Sequence, residues 1–405
     1  MKILIKNGRV IDPANGVDEV CNVLVESGCI AAVGNVDVAA GKTIDATGKW
    51  VVPGLIDIHV HFREPGLEHK ETIYTGSRAA AVGGFTTVCV MANTAPATDS
   101  AQRIERVKAI VEKDSIINIL PVGALTEGLN GEVVADIGAM AKAGAIAFSD
   151  DGKYIACDNV MKTAMGQAKT FGAVVLAHSE ASSYEGNDAE TKAVERDIRL
   201  AAEVGVDLHI CHVSTAGSVA AIRAAQERGQ HVTAEVAPHH FTLCRDDIDE
   251  LDTNAKMAPP IRSKADVQAI KAALRDGTIG VIATDHAPHS VDEKNLPYVQ
   301  APNGIIGLET AVPLSLELVR EGLLTPLELI AKMTVNAAKV IGIDKGTLSV
   351  GAIADITIID PEKSYVYDVN ASASKSRNSP FHGWQVQGAI EYTICGGEVV
   401  HSWLI

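Results

Sequence analysis

The sequence predicts an α/β fold, a (β/α)8 barrel carrying a small β-sandwich domain formed by the N- and C-terminal segments. Three observations predict it. Eight apolar strand-like runs alternate with Ala-rich helical patterns through the middle of the chain. Both ends alternate apolar and polar residues with a period of two. The histidines and carboxylates of the middle segment fall where the strand-like runs end. The first pattern is that of a parallel sheet covered by helices, the second that of short antiparallel strands.

The opening residues, Met1 to Lys6 followed by Asn7-Gly8, read as a strand and a turn and not as a signal peptide. Ile3, Ile5, Val10, Val23, Val25, Ile30 and Val33 continue the alternation, with Asn-Gly turns at 7–8 and 15–16. The tail from about 346 reads likewise, with a buried strand over 354–359 and a hairpin over 389–400 around Gly396-Gly397. Segments 1–50 and 346–405 are therefore expected to form one small β-domain, with the barrel, 51–345, inserted between them.

In the barrel segment the strand-like runs are 51–60, 86–91, 117–122, 145–148, 174–177, 208–211, 231–236 and 280–283. Helical patterns over 72–82, 100–112, 190–204 and 218–228 lie between them. Eight strands suggest a closed TIM-type barrel. No GxGxxG or phosphate loop opens a helix after a strand, which weighs against a doubly wound open sheet.

Composition narrows the function. The 405 residues are 47% hydrophobic, enough for a large core, and carry a net charge of −16, which argues against nucleic acid as a partner. No apolar run reaches the roughly 18–20 residues of a membrane span, so a cytoplasmic enzyme is expected. The seven cysteines form no CxxC pair, and buried reduced thiols are expected.

The positions of the polar residues carry the chemistry. The first run ends in Asp57-Ile58-His59-Val60-His61-Phe62-Arg63; the second runs into Asn93 and the fourth into Ser149-Asp150-Asp151. His178, His212 and His239-His240 follow the fifth, sixth and seventh, and the eighth runs into Asp285-His286-Ala287-Pro288-His289. In a barrel all these ends share one face, where catalytic residues collect. Residues two apart on a strand point the same way, so His59 and His61 reach one metal ion. Imidazole nitrogens with carboxylates suit zinc or a similar divalent ion that keeps a position open for water. A lone His-x-His is weak evidence; with His178, His212 and Asp285 at other strand ends it becomes strong.

These residues also resemble a known family. Pro53 to His61 resembles the first-strand signature of the amidohydrolase superfamily, and Phe62-Arg63-Glu64-Pro65-Gly66 resembles the dihydroorotases, specifically type I. Met91-Ala92-Asn93-Thr94, Phe148 to Gly152, His212-Val213-Ser214-Thr215, Ala283 to His289, Ala301-Pro302-Asn303-Gly304 and Gly307-Leu308-Glu309-Thr310 extend the likeness, as does 375–381.

The resemblance implies two metal ions, Zn2+ being expected: His59, His61 and Asp285 on the first, His178 and His212 on the second, and Asp151 bridging them. Many relatives use a carbamylated lysine there, and Lys153 is near, but the pattern favours the aspartate. Arg63, Asn93 and His289 match positions that grip the substrate carboxylate, and Arg63, two residues beyond His61, is expected to look into the site from the same strand face. The implied reaction is the reversible cyclisation of N-carbamoyl-L-aspartate to L-dihydroorotate, with Asp285 as proton shuttle. A homodimer and a complex with aspartate transcarbamoylase are the implied assemblies. Two departures touch substrate grip. The segment 179–195 is shorter than in family members, and Ala258 stands where many relatives carry a substrate-binding Asn.

Other polar residues receive plainer readings. Asp57 orients a ligand or caps the strand end, and His286 helps to orient its neighbour. His209 is structural, His239 and His240 stand behind the site, and His69, His231, His382 and His401 are exposed. Asp150 and Asp151 are neighbours, so only one enters the site. The rival functions are an allantoinase or hydantoinase, where a lysine is expected in place of Asp151, and a scaffold that has lost its metal ligands. This chain keeps all six.

Overall fold

The computed structural model describes residues 2–403; Met1 of the expected first strand, and Leu404 and Ile405 of the tail segment, lie outside the described residues. Strands β1 (Lys2–Asp12), β2 (Val17–Glu26), β3 (Cys29–Gly34), β4 (Lys42–Asp45) and β5 (Trp50–Pro53) come from the N-terminal end, and β14 (Ile356–Val366), β15 (Gln385–Cys395) and β16 (Glu398–Ser402) from the C-terminal end. They form one mixed sheet in the order β16-β15-β14-β5-β1-β2-β3, with β4 added beside β1. The period-two alternation sends Ile3, Ile5, Val23, Val25, Val51, Ile356 and Ile394 into a common core. The two ends of the chain meet at β5 and β14, where Trp50 to Pro53 lie antiparallel to Ile356 to Ile359.

The barrel strands are β6 (Leu55–Val60), β7 (Phe85–Val90), β8 (Asn118–Gly123), β9 (Ala147–Phe148), β10 (Val174–Ala177), β11 (Leu208–Ile210), β12 (Val232–Val236) and β13 (Val281–Ile282), hydrogen-bonded in chain order. Helices such as Ile73–Val82 and Asn187–Val204 lie between them, the first opened by a capping box on Thr72. The first and last strands close the ring by a parallel bridge between Val60 and His286, in which His61 N–H donates to His286 O at 2.9 Å. Asp57 ties the same seam. Its buried carboxyl accepts from Thr284 N–H at 3.1 Å, from Thr284 Oγ1 at 2.5 Å and from His59 N–H at 3.0 Å. It thus holds the His59 backbone and closes the ring. Burial pushes this carboxyl up to about 7, against the opposing pull of the Thr284 and His59 donors.

The run 51–60, expected as one barrel strand, is two strands in different sheets. Residues Trp50 to Val60 are all buried, so apolarity alone does not show the break. It falls at Gly54, whose N–H donates to Asp355 O at 2.8 Å while Leu55 begins to pair with Phe85. A Cβ on Gly54 would lie 2.1 Å from Thr86 Oγ1. His401 also departs from expectation: it is part-buried on β16, and its Nε2 is shielded and lacks a hydrogen-bond partner. His231 and His382 are exposed as read, and His69 lies exposed in a turn. All seven cysteines are free, though Cys157 is exposed, and among the described residues no helix is long and apolar enough to cross a membrane.

The Gly54 crossing yields a stability test. Gly54→Ala is expected to cost about 1–3 kcal/mol of folding stability, read as a fall in Tm. Adding Thr86→Ala, which removes the two closest atoms, is expected to recover part of the loss. An unchanged Tm in the single variant would contradict the close approach.

Candidate metal centre

Strand ends deliver every ionisable group of the site. β6 carries His59 and leads to His61, the turn after β9 carries Asp151, β10 leads to His178, β11 to His212 and β13 to Asp285. His212 and Asp285 have positive φ, 35° and 48°, a backbone region that few non-glycine residues adopt. That strain sits where the two side chains turn inward.

The hydrogen bonds fix the tautomers. His59 Nδ1 lies 2.6 Å from Glu235 Oε1, and a carboxylate only accepts, so Nδ1 carries the hydrogen. The bare His59 Nε2 then faces Asp151 Oδ1 at 3.3 Å and Asp285 Oδ1 at 3.5 Å. His61 repeats the logic: Nδ1 donates to Asn93 Oδ1 at 2.8 Å, and the bare Nε2 faces Asp285 Oδ1 at 3.0 Å and Asp151 Oδ2 at 3.3 Å. On the other flank His212 Nε2 lies 3.4 Å from Asp151 Oδ1 and 2.9 Å from His178 Nδ1, itself 3.4 Å from the same oxygen.

With both rings neutral, two buried imidazole lone pairs point at two carboxylates, a contact that only a proton or a metal cation between them relieves. His59 Nε2 has no hydrogen-bond partner at all. Such an arrangement is unfavourable unless a cation occupies the centre. The titration tendencies express the same demand for positive charge. Burial opposes a charge on His59, yet Asp151 and Glu235 hold its pKa well above the ordinary value. Asp151 and Asp285, despite burial, are held well below the usual carboxylate range by the imidazoles around them. The residues present fit a divalent metal. Ligand atoms of His59, Asp151 and His212, and those of His59, His61 and Asp285, lie within 4.8 Å of one another.

All six expected ligands are thus brought together. Asp150 turns away, accepting from Leu125 N–H at 2.8 Å, from Thr126 N–H at 3.0 Å and from the Thr126 hydroxyl. β9 ends at Phe148, so a turn and not strand alternation separates the two aspartates. Arg63 is buried beside the centre, but not for the reason expected. β6 ends at Val60, Arg63 has φ 63°, and its Nε donates to Pro288 O at 3.2 Å. Asn93 is engaged through its oxygen by His61, which leaves its NH2 as the donor. His289 lies behind Arg63, with Nε2 2.8 Å from Asn303 O. His286 contributes its backbone to the seam while its ring meets Glu71 at 3.4 Å. His239 is buried with Nε2 unpartnered, and His240 donates to Pro259 O at 3.0 Å.

Glu235 was not anticipated. It joins His59 to His209, whose Nε2 lies 3.1 Å from Glu235 Oε2, so His209 is structural through this carboxylate. The signal was present: a single carboxylate inside the apolar run of β12 has no reason to be buried unless it is paired. Beside His178 opens a cleft of about 620 Å³ lined by Lys153, Tyr154, Tyr184, Arg262 and Asn303, with Ala258 in its wall.

Residues 50–400 match the model of the amidohydrolase family. Among curated proteins, the dihydroorotase of Geobacter metallireducens is 47% identical, over 99% of this chain and 100% of its own length. That of Pelotomaculum thermopropionicum is 50% identical, over 99% and 98%. Among solved structures, the L-hydantoinase (dihydropyrimidinase) of Arthrobacter aurescens superposes with a TM-score of 0.92 at 29% identity, covering 99% of this chain and 96% of that one. The Geobacter alignment runs over 423 positions against 405 residues here, so that relative carries residues this chain lacks. The chain belongs to the amidohydrolase family, on the dihydroorotase branch.

Glu235→Gln keeps the shape but weakens the acceptor that holds His59 Nδ1–H. Metal affinity, measured by chelator competition, is expected to fall about 10- to 100-fold with the fold retained. Unchanged affinity would show that Glu235 does not orient the ligand.

Proposed function

We propose that this chain is a metal-dependent dihydroorotase, catalysing the reversible cyclisation of N-carbamoyl-L-aspartate to L-dihydroorotate and water in pyrimidine biosynthesis. The observation that carries the reading is the buried guanidinium of Arg63 beside the six-residue centre. Dihydroorotate bears a carboxylate, whereas hydantoin and allantoin are ring ureides without one, so a buried cation at this point favours the first. The identity to dihydroorotases along the whole chain supports the same choice.

His59, His61 and Asp285 would hold one ion and His178 and His212 a second, with Asp151 between them; zinc suits this set of nitrogen and carboxylate donors. Bound there, a divalent cation supplies an electrophile for the ring carbonyl and the acidity that ionises water near neutral pH. Asp285, kept anionic by its imidazole neighbours, takes the proton of the attacking water at Oδ1 and delivers it to the departing ring nitrogen. Cyclisation runs the same path backwards. Arg63 and the Asn93 NH2 receive the substrate carboxylate, and His289 walls the same subsite. Segment 51–345 carries these residues, and the small domain, 1–50 with 346–405, supports them. For instance, Asn378 Oδ1 accepts from His289 N–H at 3.1 Å, and Asn378 Nδ2 donates to Ala287 O at 3.0 Å. A cytoplasmic homodimer, and a complex with aspartate transcarbamoylase, go with this reading; sedimentation of the chain alone and with the transcarbamoylase tests both assemblies.

The metal-replete protein is expected to turn over dihydroorotate in preference to hydantoin and allantoin, and the reverse preference would overturn the assignment. Asp285→Ala is expected to lower kcat by about a hundredfold or more while the protein stays folded; surviving activity would remove the proton shuttle. Chelation should abolish turnover and lower Tm, since an ion that binds only the folded state stabilises it, and added Zn2+ should restore both.

A further inference from the structure

The Arg63 guanidinium has one hydrogen-bond acceptor in Pro288 O, and its Nη2 stands 3.4 Å from His289 Nε2. Whether that second contact is a hydrogen bond depends on where His289 keeps its hydrogen. The answer lies on the far side of the ring, where Lys70 Nζ is 3.3 Å from His289 Nδ1. An ammonium has donors only, so Nδ1 accepts and the ring hydrogen sits on Nε2. Nε2 then donates to Asn303 O at 2.8 Å. Both ring nitrogens are occupied, and neither accepts from Arg63.

Lys70 is itself fixed. Its Nζ pairs with Glu293 Oε1 at 2.8 Å, and its side chain is only 13% exposed. Glu293 is held in turn by Ser290, whose N–H and Oγ each donate to it at 3.0 Å. Burial, with Arg63 and Lys70 as flanking cations, keeps the His289 ring neutral.

We propose that Lys70 is a positioning residue of the anion subsite: together with the Asn303 carbonyl it fixes His289 as the Nε2–H tautomer, so that His289 does not capture Arg63 and the guanidinium is left for the substrate carboxylate. The inference rests on the dihydroorotase reading and adds to it a residue that reading does not contain. Without Lys70 the acceptor nearest Nδ1 is Glu293 Oε2, at 3.9 Å. Glu293, freed of its lysine, competes with the Asn303 carbonyl for the ring hydrogen, and with the hydrogen on Nδ1 the bare Nε2 accepts from Arg63 Nη2. Arg63 holds the carboxylate before and during the reaction alike, so its diversion weakens binding without touching the chemical step.

The test compares wild type, Lys70→Met and Lys70→Arg, each with full metal content. In dihydroorotate hydrolysis, Lys70→Met is expected to raise KM about tenfold with kcat within about twofold, and Lys70→Arg, which keeps a donor, to hold KM within about threefold of wild type. Long-range 1H–15N spectra, with the His289 signals assigned by their absence in His289→Gln, should show Nε2–H in wild type and Nδ1–H in Lys70→Met. An Nδ1–H tautomer in wild type, an unchanged KM in Lys70→Met, a fall in kcat alone, or no rescue by Lys70→Arg would overturn the proposal. Should Lys70→Met fail to fold, the wild-type tautomer and the Lys70→Arg KM decide it. Should wild type leave dihydroorotate untouched, the reaction assignment fails, and the spectra still decide the role of Lys70.

Discussion

Two imidazole nitrogens and two carboxylates face one another in a buried space that demands positive charge, and the rest of the barrel's polar end follows from that constraint. His59 Nε2 and His61 Nε2 each lie within 3.5 Å of Asp285 Oδ1, and both also approach Asp151. In a medium of low polarity such contacts repel unless positive charge enters. The outer ring nitrogens are already committed, to Glu235 and to Asn93, so the histidines do not relieve the conflict by turning over. The centre is therefore built to hold a cation and not to pair with itself.

Holding that arrangement is the task of the seam between the first and last barrel strands. β13 is two residues long, too short for a ladder with β6, and closure passes to the bridge at Val60 and His286 and to the buried Asp57. Those contacts place Asp285 opposite His61. On the opposite side of His59, Glu235 and His209 form a second brace across β11 and β12. The strained φ angles of His212 and Asp285 persist because both braces over-determine the backbone there. The proposed substrate subsite is layered in the same way: Arg63 stands against His289, and His289 is fixed by Lys70, Asn303 and Asn378.

Much of this was legible in the sequence because barrel topology converts chain order into position. Once eight alternating runs were recognised, His59, His61, Asp151, His178, His212 and Asp285 had to share a face. What stayed hidden depends on three-dimensional pairing. The change of sheet at Gly54 is invisible in a run that is buried on both sides of the break, since both sheets demand apolar residues. Arg63 was placed by extending strand alternation past Val60, where the strand had ended and φ had turned positive. Lys70 gave no signal, because a lysine in a turn after the first strand reads as solvated until His289 and Glu293 are seen to close around it. Glu235 alone could have been found, as a carboxylate without a local partner in an apolar strand.

The proposed centre around Asp151 would hold two metal ions. Anomalous diffraction at the zinc edge from zinc-loaded crystals tests it most directly. Two peaks are expected, one contacting His59, His61 and Asp285 and one contacting His178 and His212, with Asp151 touching both. A single peak that leaves Asp151 uncoordinated, or no peak among these residues, would contradict it.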